Sequence, residues 1–187
     1  MKQDLATPAF AKASARLSKI KSDLRKVADK DKAKLLARFF KTGKGDYGEG
    51  DKFLGVVVPE QRRVAKIHLR GFTSNALEEK PLATIQKLLR SEWHEERLTA
   101  LLILVGLYKS STGSDQEKTR NKQQIFNFYL RNIFRINNWD LVDLSAPNIV
   151  GDYLFTLSSS KEGRKQKDLV LLKLAKSQNL WSRRVAV

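Results

Sequence analysis

Cysteine is absent from the 187 residues. Disulfides and thiolate metal sites are therefore excluded, and a reducing compartment is compatible. Histidine is scarce too, with only His68 and His94. His94-Glu95-Glu96-Arg97-Leu98 starts like the zinc-binding H-E-x-x-H pattern, but its second histidine is missing. No metal and no cofactor are expected, and both histidines read as ordinary helix-surface residues. Long apolar runs are lacking as well. The longest, Leu101 to Leu107, is far too short to span a bilayer. Residues 1–14 carry early charge and no apolar core of signal-peptide length. The expectation is a soluble, cytoplasmic protein with no membrane partner, associated with the nucleoid if the source is bacterial.

Negative charge is in short supply. Lys and Arg number 36 against 20 Asp and Glu, a formal net charge of +16. The excess is uneven: residues 1–34 and 161–187 each carry +6, whereas residues 75–97 carry −1. Two basic ends around a balanced middle suit a polyanion, and a nucleic acid is the natural one. The plain alternative is a solvated, Lys-rich surface.

What is present is helical periodicity. Apolar residues recur every three or four positions at Leu17, Ile20, Leu24 and Val27, then at Leu35, Leu36, Phe39 and Phe40. A Gly-rich turn covers 42–50. Its Gly43-Lys44-Gly45-Asp46-Tyr47-Gly48 fits G-x-G-x-x-G, but a helix precedes it and none follows, so it reads as a loop. Pro59 fits the first turn of a helix that Gly71 ends, and Pro81 opens another. Glu92 to Tyr108 has the strongest stripe, with Leu98, Leu101, Leu102 and Val105, and Trp93 reads as an aromatic closing off the core. Further helices are predicted over 116–135, from Trp139 to a break at Pro147, over 148–157, over 165–176 after a loop at 158–163, and from Trp181. Phe53 to Val58 is the sole strand candidate. Helix pairs recurring at about 40 residues match HEAT-like units. The fold class expected is all-α: an α-solenoid of HEAT-like antiparallel helix pairs with a concave basic face, forming one domain over 1–187.

Asn138-Trp139-Asp140-Leu141-Val142-Asp143 is the segment richest in chemistry. Asn138 fits a helix N-cap. On a helix Trp139 and Asp143 lie one turn apart on one face. A large π-surface beside a carboxylate, inside a basic chain, suits a ligand that is or becomes positive. Asp143 as a mere cap or ion-pair partner, and Trp139 as a core aromatic, remain open on these residues alone.

Several segments together resemble one family. They are Phe39-Phe40-Lys41-Thr42-Gly43 with Gly50-Asp51-Lys52-Phe53-Leu54-Gly55-Val56, then Pro59-Glu60-Gln61-Arg62-Arg63, then Ser91-Glu92-Trp93-His94-Glu95-Glu96-Arg97-Leu98. The Asn138–Asp143 stretch follows, then Gly151-Asp152-Tyr153-Leu154 and Trp181-Ser182-Arg183-Arg184. Their order resembles the HEAT-like-repeat DNA alkylation repair proteins, the AlkD-type alkylpurine DNA glycosylases. That resemblance implies a monofunctional enzyme acting on double-stranded DNA. It would hydrolyse the N-glycosidic bond of N3- or N7-alkylated purines without flipping the base. It implies Asp143 as the catalytic carboxylate and Trp139 as the ring laid against the damaged nucleotide. Asp143, in the first turn or so of its helix, is expected to stay ionised. Arg184 would contact the DNA backbone, with Arg183 a neighbour, while Trp181 fits core and contact equally. A monomer is expected.

Similar proteins continue into a further repeat whose Trp joins the active-site wall, so the resemblance also implies a chain truncated at its C-terminus. Two other readings stay open. One is a non-catalytic DNA-binding relative, against which the Trp139/Asp143 pair speaks. The other is a protein-binding HEAT scaffold, which has no need of basic ends.

Overall fold

In the computed structural model every regular element is helical, and the chain is described at residues 8–74 and 81–187, with side chains at 13–72 and 81–187. The first residues of the polar N-terminal stretch, 1–7, lie outside that range. The helices are α1 (Pro8–Lys26), α2 (Lys30–Phe39), α3 (Val58–Ser74), α4 (Pro81–Leu89), α5 (His94–Lys109), α6 (Asp115–Arg131), α7 (Trp139–Asp143), α8 (Asp152–Thr156), α9 (Lys161–Ala175) and α10 (Leu180–Val185). Among the described residues no strand forms. The Phe53–Val58 candidate is non-helical chain, and Lys52 makes one isolated parallel bridge to Trp93. The chain divides into two compact units, residues 1–103 and 104–187, with the boundary inside α5.

In the first unit α1 packs on α3 and α4, with Ile20 and Leu24 fully buried. Both histidines depart from expectation: they are buried, not on the helix surface. His68 Nε2 lies 3.1 Å from Asp23 Oδ2, joining α3 to α1. Burial lowers the His68 pKa, against the pull of Asp23. His94 Nδ1 lies 3.0 Å from Asp51 Oδ2, and its ring clusters with Phe40 and Phe53. The other Asp51 oxygen accepts from Arg97 at 2.7 Å. A buried imidazole is tolerable when it has such a partner.

Gly71 does not end α3; the helix runs through it to Ser74. A Cβ at Gly71 would stand 2.2 Å from the Arg16 guanidinium, which lies over the Phe72 ring. The Arg16 tip is the far end of a flexible side chain and can swing aside, so this contact alone does not require glycine, and the glycine is not a helix stop. Gly55 serves both uses of the residue. Its φ is +83°, and a Cβ there would meet the Asp29 carbonyl at 1.9 Å.

The non-helical segment before α3 is held by one buried side chain. Glu95 accepts the backbone N–H groups of Leu54, Gly55 and Val56 at 2.8–3.2 Å. Gln61 donates to the Val56 carbonyl at 2.7 Å. The adjacent Glu96 is equally buried and binds Lys21 and Arg25 of α1.

In the second unit α6 starts with a capping box between Ser114 and Glu117. Phe126 stacks on Tyr153 of α8 at 4.3 Å. Asp152 accepts from the Tyr108 hydroxyl at 2.7 Å and from Lys122 at 3.0 Å. The expected break before a new helix at Pro147 is present: α7 ends at Asp143, and Pro147 opens the next helical stretch. Residues Pro147–Gly151 form a π turn leading into α8, with the proline at its first position, where no intrahelical N–H bond is lost. The loop expected at 158–163 is largely helical: a 3-10 turn spans 157–159, and α9 begins at Lys161, capped by Ser160. The helix predicted over 116–135 ends at Arg131 and gives way to a 3-10 turn, Ile133–Arg135. α10 packs on both α7 and α9.

Glu95→Ala leaves the Leu54, Gly55 and Val56 amides without their acceptor. The expected loss of stability is about 3 kcal/mol. Urea unfolding checks it; an unchanged midpoint would show that the carboxylate does not hold this segment.

Candidate active site

α7 has only five residues, too few to hold a helix without help from its surroundings. Its start is set by Asn138, which is fully buried and whose Oδ1 accepts the Trp139 N–H at 2.8 Å. Asp140, also buried, turns its carboxylate to its own end of the helix and accepts from the Leu141 N–H. Leu141 and Val142 face the core. Trp139 is therefore half-buried at the first position, and Asp143 emerges exposed at the last. The expectation that a helix N-terminus steadies Asp143 does not hold, because the residue closes α7.

Its positive neighbour is Arg184. Nε and Nη2 of Arg184 donate to the two Asp143 oxygens at 2.8 and 2.7 Å. The fork is two-pronged, the strong form of carboxylate–guanidinium contact. These bonds raise the Arg184 pKa above its ordinary value. The side chains are 42% and 47% exposed. A pair so wet contributes about 0.2–1 kcal/mol to folding, so stability alone is a weak reason for the geometry. Among the described residues the fork leaves the Nη1 donors of Arg184 without a protein acceptor.

α10 owes its place to its neighbours on the same helix. Asn179 caps it by accepting the Ser182 N–H, and Trp181, Ser182 and Val185 are buried. Trp181 thus lies in the core. Arg183 turns away toward the end of α9, donating to the Ser177 and Gln178 carbonyls at 2.8 and 2.9 Å. Of the residues singled out in the sequence, the fold brings Asp143 and Arg184 into direct contact, with Trp139 one turn from Asp143.

Beneath α7 lies a contact the sequence reading missed. The Tyr129 hydroxyl is 2.9 Å from Ser145 Oγ, and Ser145 Oγ bonds in turn to the Leu141 carbonyl. Tyr129 and Ser145 are fully buried. Among the described residues no three His, Asp or Glu side chains gather as metal ligands, and no helix is long and apolar enough to cross a membrane.

The family model for DNA alkylation repair enzymes matches residues 20–187. The chain belongs to that family. The match takes in α7, α10 and the whole of the site, as well as most of the first unit. No curated protein and no solved structure matches the chain. A DNA alkylation repair enzyme has DNA as its substrate, which the charge balance of this chain suits.

Burial of Trp181 makes it the anchor of α10. Trp181→Ala is expected to cost about 3–5 kcal/mol and to lower the thermal midpoint clearly. An unchanged midpoint would return Trp181 to the surface and to a contact role.

Proposed function

We propose that this chain is a monofunctional glycosylase that hydrolyses the N-glycosidic bond of N3- or N7-alkylated purines in duplex DNA, without flipping the base. The observation that carries this reading is the exposed Asp143 carboxylate, forked by Arg184, one turn from Trp139. HEAT-like helix pairs with a basic concave face are the accompanying architectural reading, supported by the spacing of helix pairs in the sequence.

The chemistry needs little more than this. An N7-alkylated purine carries positive charge before the reaction. As the bond from the sugar C1′ to the purine nitrogen breaks, the base keeps the electron pair and leaves neutral. Positive charge passes to the sugar, which becomes oxocarbenium-like. Asp143 stabilises that charge and orients a water, whose oxygen bonds to C1′ while its proton passes to the carboxylate. The Arg184 fork occupies one lone pair on each Asp143 oxygen and leaves the others unused on a partly exposed carboxylate. Trp139 adds cation–π attraction to the lesion of about 0.5–2 kcal/mol.

Arg184 has a second task on this reading. Its Nη1 donors, not used by Asp143, suit a phosphate oxygen, so one guanidinium bridges the carboxylate and the DNA backbone. Arg183, spent on the end of α9, is a secondary contact at most.

Asp143→Asn should abolish base release from a duplex bearing one N7-methylguanine, with DNA affinity intact or slightly raised. Excision by the variant at the wild-type rate would refute the assignment. Arg184→Ala should weaken DNA binding and lower the slope of log affinity against log salt by about 1. A slope equal to that of the wild type rules out the phosphate contact.

A further inference from the structure

Short helices take their orientation from whatever grips their ends. α7 is gripped at its start by Asn138 and, near its end, by the buried pair beneath it. The direction of that second grip follows from donor chemistry. The Leu141 carbonyl can only accept, so the single Ser145 hydroxyl hydrogen goes to it. Ser145 Oγ is then the acceptor for the Tyr129 O–H at 2.9 Å. The Ser145 backbone N–H is turned to the Val142 carbonyl at 3.1 Å, so both donors of this one residue close the last turn of α7. Tyr129 stands on α6, a helix of 17 residues with its own buried face. Burial pushes the Tyr129 phenol pKa up, so the donor keeps its proton.

We propose that Tyr129 and Ser145 are positioning residues for Asp143: the relay Tyr129 O–H to Ser145 O–H to the Leu141 carbonyl ties the short α7 to the long α6 and fixes where the carboxylate stands. The proposal rests on the glycosylase reading for its kinetic consequence. Leu141 and Ser145 each lie two residues from Asp143 in sequence, so a tilt of α7 moves Asp143 directly. The relay touches no surface, so DNA has no contact with it to lose. Its loss therefore acts on the bond-breaking step and not on binding.

Tyr129→Phe deletes one oxygen and keeps the ring that fills the core, so the variant is expected to fold. In the full chain, with enzyme in excess over an N7-methylguanine duplex, its single-turnover rate should fall about 10- to 100-fold, with DNA affinity unchanged. Ser145→Ala should give a similar loss, and the double variant should be no slower than the slower single. A rate equal to that of the wild type overturns the proposal. So does a parallel loss of affinity and of thermal midpoint, which marks a merely structural role. A second readout needs no catalysis. By NMR of the free protein, the Trp139 indole and Asp143 carboxyl resonances should move in Tyr129→Phe while those of the first unit stay put. Unmoved resonances sink the relay whatever the rates show. Moved resonances in a protein whose wild type releases no base would uphold the relay and remove the glycosylase reading instead.

Discussion

The contact between Asp143 and Arg184 is the constraint around which the second unit's site is organised. It joins residues 41 apart in sequence and sits where two very short helices meet. Neither α7, with five residues, nor α10, with six, is long enough to define an orientation alone. Each is buried along one face and free at the other, and the fork closes the free faces onto each other. The electrostatic result matters more than the stability. A bare carboxylate on a DNA-facing surface repels phosphate at every distance within the Debye length. Paired with a guanidinium it is close to neutral at long range. At contact distance its unused lone pairs still present negative charge to whatever lies against them.

A related economy governs where the acids go. Asp51, Glu95, Glu96 and Asp140 are buried, whereas of the Lys and Arg side chains among the described residues Arg97 alone is buried. The exposed surface is accordingly more basic than composition alone indicates. In the first unit these inward acids carry structural work. Glu95 replaces a strand ladder by accepting three consecutive amides, Glu96 ties α5 to the cations of α1, and Asp51 links His94 to Arg97. His94, Glu95, Glu96 and Arg97 all lie at the start of α5 and all turn inward. The site in the second unit is the contrasting case, since Asp143 is exposed and its partner is equally so.

Helix identity was legible because the apolar spacing is strong; α3, α4, α5, α6, α7 and α10 sit within a residue or two of their expected starts. The errors have physical causes. His68 lies four residues after Val64 and four before Phe72, both buried. The helical period therefore puts it on the apolar stripe, and position outweighs residue type in deciding its burial. Gly71 suggests a helix stop by its backbone freedom, but α3 holds helical geometry through it to Ser74. Pro147 does mark the division it predicts: α7 ends at Asp143, and the proline stands in the first turn of the next helical stretch. At the site, the Asn138 cap and the Trp139/Asp143 register were local and could be read. The pairing of Asp143 with Arg184, and of Tyr129 with Ser145, joins separate segments. No periodicity encodes such partners; only the packing of α6, α7 and α10 supplies them.

The proposed chemistry also accounts for why one exposed carboxylate is enough. Glycoside hydrolysis usually calls for two, because a neutral leaving group must be protonated as it departs. On α7 the second acid, Asp140, is buried and accepts from the Leu141 N–H, so it is not placed to protonate a base. An alkylated purine has no such need, since its positive charge already makes it a neutral leaving group. An undamaged purine would depart as an anion, and Asp143 gives that anion no help. On this reading discrimination lies in the charge of the lesion more than in the walls of a pocket. The interaction that rejects normal DNA and the interaction that accelerates cleavage are then the same one: a fixed negative charge set against a sugar that turns positive only when its base can leave neutral.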